Sequence, residues 1–460
     1  MKLRMPKGEP KPLDSVNRRQ EARFSESFDV EVITPIFGGG VEVGKPDGEM
    51  PIRASAIRGQ LRFWWRLLNR DKYGEDTQAL YRAEREIWGG FGNEDNISAS
   101  KVKLRVSLKK VPEPKPCATY PKKSDRTYFT TPEFQYGPSY AMFSGQGKAE
   151  KNKGETEKPY DIFPRGLTFR LEIRIQEKPY EKAVLLWEQQ ILPAFRWWAS
   201  FGGIGARTRR GLGSLIIQGL APVNRNEALA IGCQLMEMSE HRTDPVMAWD
   251  AAVGKLREFR QGKGIGRNPG TDKVPGRSRW PEADSIREIT SCHLQTEAKT
   301  HAPENEARLA FPRAAFGLPI ITHFKDGPNE GTPAHRLPRL DPGDTTLLPL
   351  CGDEAKDRLS SPLILKAMWN GKDYTPIALL LPHKHLAEIG LQLQVNPKHL
   401  AEMGLQLQVN PAKPLVDFPP GSWWCDEAQN RMTGDNKTNP LKGKTGDVLN
   451  DFLDFFKEGK

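Results

Sequence analysis

Between Phe201 and Ser214 the chain reads Phe-Gly-Gly-Ile-Gly-Ala-Arg-Thr-Arg-Arg-Gly-Leu-Gly-Ser. No helix or strand runs through glycines spaced as Gly202, Gly203, Gly205, Gly211 and Gly213 are, because glycine loses the most conformational freedom on ordering. The segment must be a loop, and its flanks fix the fold around it: an apolar-periodic helix before it and a strand after it. Bare backbone lets a ligand come close to the main chain. Arg207, Arg209 and Arg210 add fixed positive charge with bidentate phosphate geometry. The combination reads as a phosphate cradle. It is not a Walker loop, since no Gly-Lys-Ser/Thr follows and it leads into a strand instead of opening a helix.

The first half of the chain alternates strand and helix patterns. Phe28–Phe37 reads as a strand ending at Pro35 and Gly38-Gly39-Gly40. Ser55 is placed to cap a helix. In that helix Leu61, Trp64, Trp65 and Leu68 make a core face, and Arg58, Arg62 and Arg66 make a separate basic stripe. Val102–Leu108 and Phe169–Ile175 read as strands. Tyr180–Ser200 reads as a helix with Val184, Trp187, Ile191, Phe195 and Trp198 on one side. Trp197 lies off that side, free to stack on a base, and Pro193 is expected to kink or split the helix. Gly211–Leu220 supplies a fourth strand. The order β-α-β-β-α-β is that of a ferredoxin-like domain, here over 25–222. Its alternating strand directions bring Gly38–Gly40 and Gly202–Gly213 to one end of the sheet. The N-terminus of the Arg58 helix points to the same end, where its free N–H groups favour anions.

An insertion of about 112–165 interrupts this domain. Tyr128, Phe129, Phe134, Tyr136 and Tyr140 sit among lysines there, either to stack on unpaired bases or to pack on one another. A second domain is expected over 223–383, with a helix at Val246–Arg260, a basic glycine-rich loop at Gly262–Arg279, and strands at Leu318–Phe324, Leu363–Trp369 and Pro376–Leu381. The segment Lys384–Pro397 is repeated at once as Lys398–Pro411, with only Ile389 against Met403 different. This 384–411 duplication reads as tolerated surface sequence. A loose basic arm is expected at 1–24 and a polar tail at 412–460, closing with an amphipathic piece, Val448–Phe456, that docks on its own domain or on a partner.

The net charge is +10, and the basic residues are segregated. Gln189–Asn226 holds five arginines and no acid, and so does Pro51–Arg70. Such segregation points to an anionic partner, most often nucleic acid. Five scattered cysteines without a Cys-x-x-Cys point to a reduced, cytoplasmic protein without a zinc site. No apolar run is long enough for a bilayer, so no membrane partner is expected. No cofactor or metal site is read from the sequence. The first histidine is His241, which leaves the first domain without the usual general base. Asp47 and Glu49 are weak carboxylate candidates in the loop before the Arg58 helix. His383 and His385 have no ligand set beside them and read as solvated.

Three stretches together suggest a family: Thr34–Gly40, Ile52–Arg66 with its Arg-Phe-Trp-Trp-Arg, and Gly202–Ser214. They resemble the RAMP proteins of type III CRISPR–Cas systems, and in particular the first subunit of the type III-B Cmr effector complex. Gly276–Arg287, Phe311–Pro319 and Leu359–Lys366 resemble the same subunit's second half. Arg58 stands where a lysine is common in that family. The resemblance implies an α+β chain of two ferredoxin-like (RRM/RAMP-type) domains with long insertions. It implies a non-catalytic RNA-binding subunit of a ribonucleoprotein in antiviral defence. That subunit sits at the head of the complex near the crRNA 3′ end, beside the neighbouring head RAMP subunit, and contacts target RNA. Carried onto this chain, the RNA contacts expected are Gly38, Gly39, Gly40, Arg58, Arg62, Arg66, Gly202, Gly203, Gly205, Arg207, Arg209, Arg210, Gly211 and Gly213. Arg277, Arg279 and Arg313 are candidates in the second domain. Two other readings compete: a stand-alone or crRNA-processing endoribonuclease, and a scaffold that binds only protein.

Overall fold

The computed structural model describes residues 24–90, 98–125, 127–271, 276–297, 300–303, 309–328, 336, 339–395, 415–420, 422–423 and 447–457. The basic arm, but for Phe24, lies outside the described residues, as do the second copy of the duplication and most of the tail. Two compact units emerge. One is drawn from the described parts of Met1–Val30, Arg53–Lys109 and Phe169–Phe195, the other from Glu31–Ile52, Lys110–Thr168 and Arg196–Lys460. The division is discontinuous in sequence and does not fall at Pro222.

A four-stranded sheet has the order Leu215–Ile217, Phe24–Val32, Leu167–Ile175, Val102–Lys110. In Leu167–Ile175 the residues Leu167, Phe169, Leu171, Ile173 and Ile175 are all buried, as a period-2 pleat with one covered face requires. The strand expected over Phe28–Phe37 is two strands. The first ends at Val32, and Ile36–Phe37 pairs with Asp161–Phe163 in a separate sheet. Pro35, which has no N–H to give to a ladder, lies in the break. Gly211–Leu220 likewise contracts to Leu215–Ile217, with Gly211 and Gly213 in left-handed backbone.

In the first unit the helix Ala54–Tyr73 buries Ile57, Leu61, Trp64, Trp65 and Asn69, while Leu68 is only half-buried. Ser55 lies inside the first turn and does not cap; Arg53 is the N-cap and makes no side-chain cap bond. Trp65 Nε1 donates to Gln190 Oε1 at 2.9 Å. Gln190 belongs to a π-helical turn, Trp187–Ile191, set between the α-helices Tyr180–Leu186 and Leu192–Phe201. Pro193 therefore neither ends nor splits the helix. The wider turn ahead of it takes up the missing N–H and the ring clash with the preceding turn. Phe28 packs on Trp187 and Phe195 with ring centroids 6.0 and 4.6 Å away.

In the second unit Gln234–Glu237, Tyr374–Leu380 and Leu363–Trp369 form one antiparallel sheet, with Leu365 opposite Ala378. The helix Pro245–Gln261 buries Ala248, Trp249, Ala252, Val253 and Leu256 in the same core. Its N-cap Asp244 accepts from the N–H groups of Val246 and Met247, and Pro245 opens it, a strong start signal. A second sheet joins Ile320–Thr322, Thr345–Cys351, Gly390–Val395 and Leu415–Phe418. The first copy of the duplication thus supplies an inner strand with Leu391 and Leu393 fully buried, a correction to its reading as surface sequence. The strand expected at Leu318–Phe324 is limited to Ile320–Thr322. No described helix is long and apolar enough to cross a membrane.

Candidate functional site

The two glycine loops lie side by side, as the strand directions require. Ala206 forms a bridge with Phe37, its N–H donating to Phe37 O at 2.7 Å. Gly213 N–H donates to Pro35 O at 2.8 Å. Glycine is required at 213: φ is +63°, and a Cβ there would overlap Ile204 O. Thr34 stitches the turn, its Oγ1 donating to Gly211 O at 2.7 Å and accepting from Ser214 N–H at 2.8 Å. Thr34 is fully buried. Thr34→Val keeps the shape and strands the Ser214 N–H, while Gly211 O keeps the Ser214 hydroxyl at 2.9 Å, so it is expected to cost about 1–3 kcal/mol, read as a shift of the urea midpoint.

The loop rests on the second half of the chain. Arg209 donates to Ser361 O, and Arg210 donates to Phe316 O at 2.9 Å and reaches Leu363 O at 3.5 Å. Trp249 Nε1 donates to Arg210 O at 2.6 Å. Buried Lys366 donates from Nζ to Gly202 O at 2.9 Å. The segments Phe311–Pro319 and Leu359–Lys366 therefore form the bed of the loop. Burial pulls the Arg210 guanidinium down to about 10 and the Lys366 ammonium down to about 7. Arg207 donates from Nη1 to Ala141 O at 2.7 Å. All three loop arginines already hold main-chain carbonyls, and Gly205 and Ala206 are the exposed residues at the tip.

On the helix Ala54–Tyr73, Arg62 and Arg66 both pair with Glu84, which is 2% exposed. The buried Nε of Arg58 has no hydrogen-bond partner among the described residues. In the second unit Arg277 pairs with Asp284 and donates to Ala302 O. Arg279 donates to Gly264 O, and Arg313 pairs with Glu282. These three cations hold their own loops together. Arg287 continues the network from Asp284 to Asp341, which also meets His301 Nδ1 at 2.6 Å. His301, Asp326 and Asp341 bring ligand atoms within 4.8 Å of one another. Asp341 is spent on Arg287 and His301, so the group is knit as an ion-pair network.

Other expectations change. Trp197 is 4% exposed, tilted against Phe201 at 5.1 Å, and is not available to a base. The insertion is ordered into short hairpins and a helical turn, Ser139–Met142. Phe134, Tyr136 and Tyr140 pack on the core; Phe129 stays 45% exposed. Asp47 accepts from the N–H groups of Glu49 and Met50, which shapes its turn. His383 is not solvated: its Nε2 meets Asp447 at 3.3 Å, and that contact holds its pKa up against burial. Sequence reasoning alone does not single out Thr34, Phe143 or Lys366 as site residues. The one signal for Lys366 is its place at the end of the Leu359–Lys366 motif.

Residues 29–216 match the model of the RAMP superfamily. That stretch, under half of the chain, holds both glycine loops and the Arg58 helix. The chain is also similar to proteins named as Cmr subunits. It is 24% identical over 196 residues to the CRISPR system Cmr subunit Cmr1-2 of Pyrococcus furiosus, covering 42% of this chain and 96% of that protein. It is 27% identical over 197 residues to Cmr1-1 of the same organism, covering 42% of this chain and 48%, about half, of that relative. Among solved structures, a chain of the type III-B Cmr-beta bound to cognate target RNA aligns at 12% identity and a TM-score of 0.37, over 78% of this chain and 94% of that one. A second state with AMPPnP and ssDNA aligns at 13% and 0.32, over 77% and 94%.

Proposed function

We propose that this chain is a Cmr1-like RAMP subunit of a type III-B CRISPR Cmr complex that binds single-stranded RNA. The observation that carries the reading is the match of residues 29–216 to the RAMP superfamily, on the segment whose glycine loop has the composition of a phosphate cradle. The two relatives named as Cmr subunits support the assembly. The strand order fourth–first–third–second in Leu215–Ile217, Phe24–Val32, Leu167–Ile175, Val102–Lys110 supports a ferredoxin-like first domain. We place the subunit at the head of the complex near the crRNA 3′ end, beside the other head RAMP subunit, in the cytoplasm. We assign it no catalytic role. The stretch 29–216 has no histidine, and Asp47 is committed to its own turn. RNA contact falls on the exposed loop tip and Arg207, while Arg209 and Arg210 hold the loop on its bed.

The test is one incubation of the full chain with end-labelled single-stranded RNA, split between a native and a denaturing gel. Shifted, intact RNA is expected, with affinity falling steeply between about 50 and 200 mM salt. The Arg207/Arg209/Arg210→Ala variant is expected to lose the shift. Cut RNA would overturn the non-catalytic assignment, and no shift at low salt would favour a protein-only scaffold.

A further inference from the structure

The glycine loop contains an expense that its own composition makes avoidable. Arg207 has φ 59° and ψ 27°, a left-handed backbone. A side chain there costs about 1 kcal/mol or more relative to glycine. Five glycines stand in the same loop, yet an arginine occupies this position. The side chain shows why. Its Nη1 donates to Ala141 O at 2.7 Å, and its guanidinium carbon lies 5.3 Å from the centre of the Phe143 ring. Strain of this kind persists where the surroundings over-determine it, often at a binding site.

Phe143 is 55% exposed, although it belongs to a firmly anchored turn. The 3-10 turn Phe143–Gly145 is tied through Gly145 O, which accepts from Tyr160 N–H at 2.7 Å and from Cys117 Sγ at 3.1 Å. Gly145 packs so closely on Phe37 that a Cβ would lie 2.7 Å from the ring. Phe37 in turn bridges Ala206 of the glycine loop. Its ring lies against Arg207, which follows the exposed Gly205 and Ala206 in the loop and belongs to a stretch, Gln189–Asn226, without an acid.

We infer that Phe143, backed by Arg207, is a stacking platform for one unpaired nucleobase of single-stranded RNA, next to the loop that meets the backbone. This rests on the RNA-binding reading and adds to it a residue from the insertion and a contact to the base rather than the phosphate. Stacking is tolerant of sequence because every base has a π-face.

The experiment is fluorescence anisotropy of the full chain with a labelled single-stranded RNA at several salt concentrations, and with inorganic polyphosphate as competitor. Phe143→Ala and Phe143→Leu are expected to weaken RNA binding about 5- to 100-fold. The salt slope should stay unchanged, since no charge is removed, and polyphosphate should compete with wild-type strength. Phe143→Trp should keep wild-type affinity. A wild-type protein that binds no RNA overturns the RNA-binding reading and this inference with it. Wild-type binding that Phe143→Ala leaves intact overturns the platform alone. So does a variant that loses polyphosphate to the same extent, because the loss would then be structural.

Discussion

Phe452→Ala is expected to destabilise the second unit by about 3–5 kcal/mol, the usual cost of emptying a phenylalanine site in a well-packed core. The helix Val448–Lys457 buries Val448, Leu449, Phe452, Leu453 and Phe456, a face at helical spacing. The Phe452 ring is fully buried, with ring centroids of Phe259 at 5.5 Å and Phe316 at 5.9 Å. Those partners come from the helix Pro245–Gln261 and from the segment whose Phe316 O receives Arg210. The C-terminal helix is thus an inner element of the unit that carries the glycine loop. It docks on its own unit, which resolves the choice that its amphipathic pattern leaves open. Asp447 starts it by accepting from the N–H groups of Leu449 and Asn450, and pairs with His383. Urea unfolding checks the number. A change below about 1 kcal/mol would mean that the helix does not fill this core in solution, since exposed-site truncations have effects of that size.

Periodicity recovers the elements whose two faces differ. Phe169–Ile175 is legible because it alternates, and the helix bearing Leu61, Trp64 and Trp65 because its apolar residues fall on one stripe. The adjacency of Gly38–Gly40 to Gly202–Gly213 is legible from strand direction alone. Trp197 is misread because the helix is covered on more than its expected stripe: Ala194, Trp197 and Phe201 are buried along with Ile191, Phe195 and Trp198. Periodicity marks one covered face and does not reveal a second. The arginines show a different limit. Sequence gives their charge, but not that carbonyls of Ser361, Leu363 and Phe316, more than a hundred residues away, accept hydrogen bonds from Arg209 and Arg210. Phe143 escapes notice because one aromatic in a polar insertion carries no period; only its exposure beside Arg207 distinguishes it. Lys366 is hidden for the opposite reason. Leu363–Trp369 is buried along both faces up to Met368, so a lysine there breaks no alternation.

Lys366 carries a prediction of similar size. It is 1% exposed, and its Nζ donates to Gly202 O, just beyond the helix Leu192–Phe201. Carbonyls at a helix C-terminus lack intrahelical partners and favour a cation. Burial nevertheless holds this ammonium at about 7, whereas an unfolded lysine titrates near about 10.4. Between about pH 7 and 10.4 the unfolded chain therefore keeps a proton that the folded protein has released. Stability rises with pH wherever the unfolded state binds more protons. The contribution from Lys366 is complete above about pH 10.4 and is lost as pH falls toward about 7. A gap of this width corresponds to roughly 4 kcal/mol at about 1.4 kcal/mol per unit. Lys366→Met removes the titration. The unfolding free energy of wild type minus that of the variant is expected to climb by about 4 kcal/mol from about pH 7 to pH 10, measured by urea unfolding at each pH. Parallel pH curves would show that this ammonium is not buried as described. The absolute order of the two proteins at one pH does not decide the matter, because methionine also leaves Gly202 O unmatched, at about 1–3 kcal/mol. The same proton has opposite effects on the unit and on its loop. Below about pH 7 the buried charge costs the unit most, while the bond to Gly202 O is charge-assisted and strongest. The bond to Gly202 O is therefore strongest over the pH range in which Lys366 contributes least to stability.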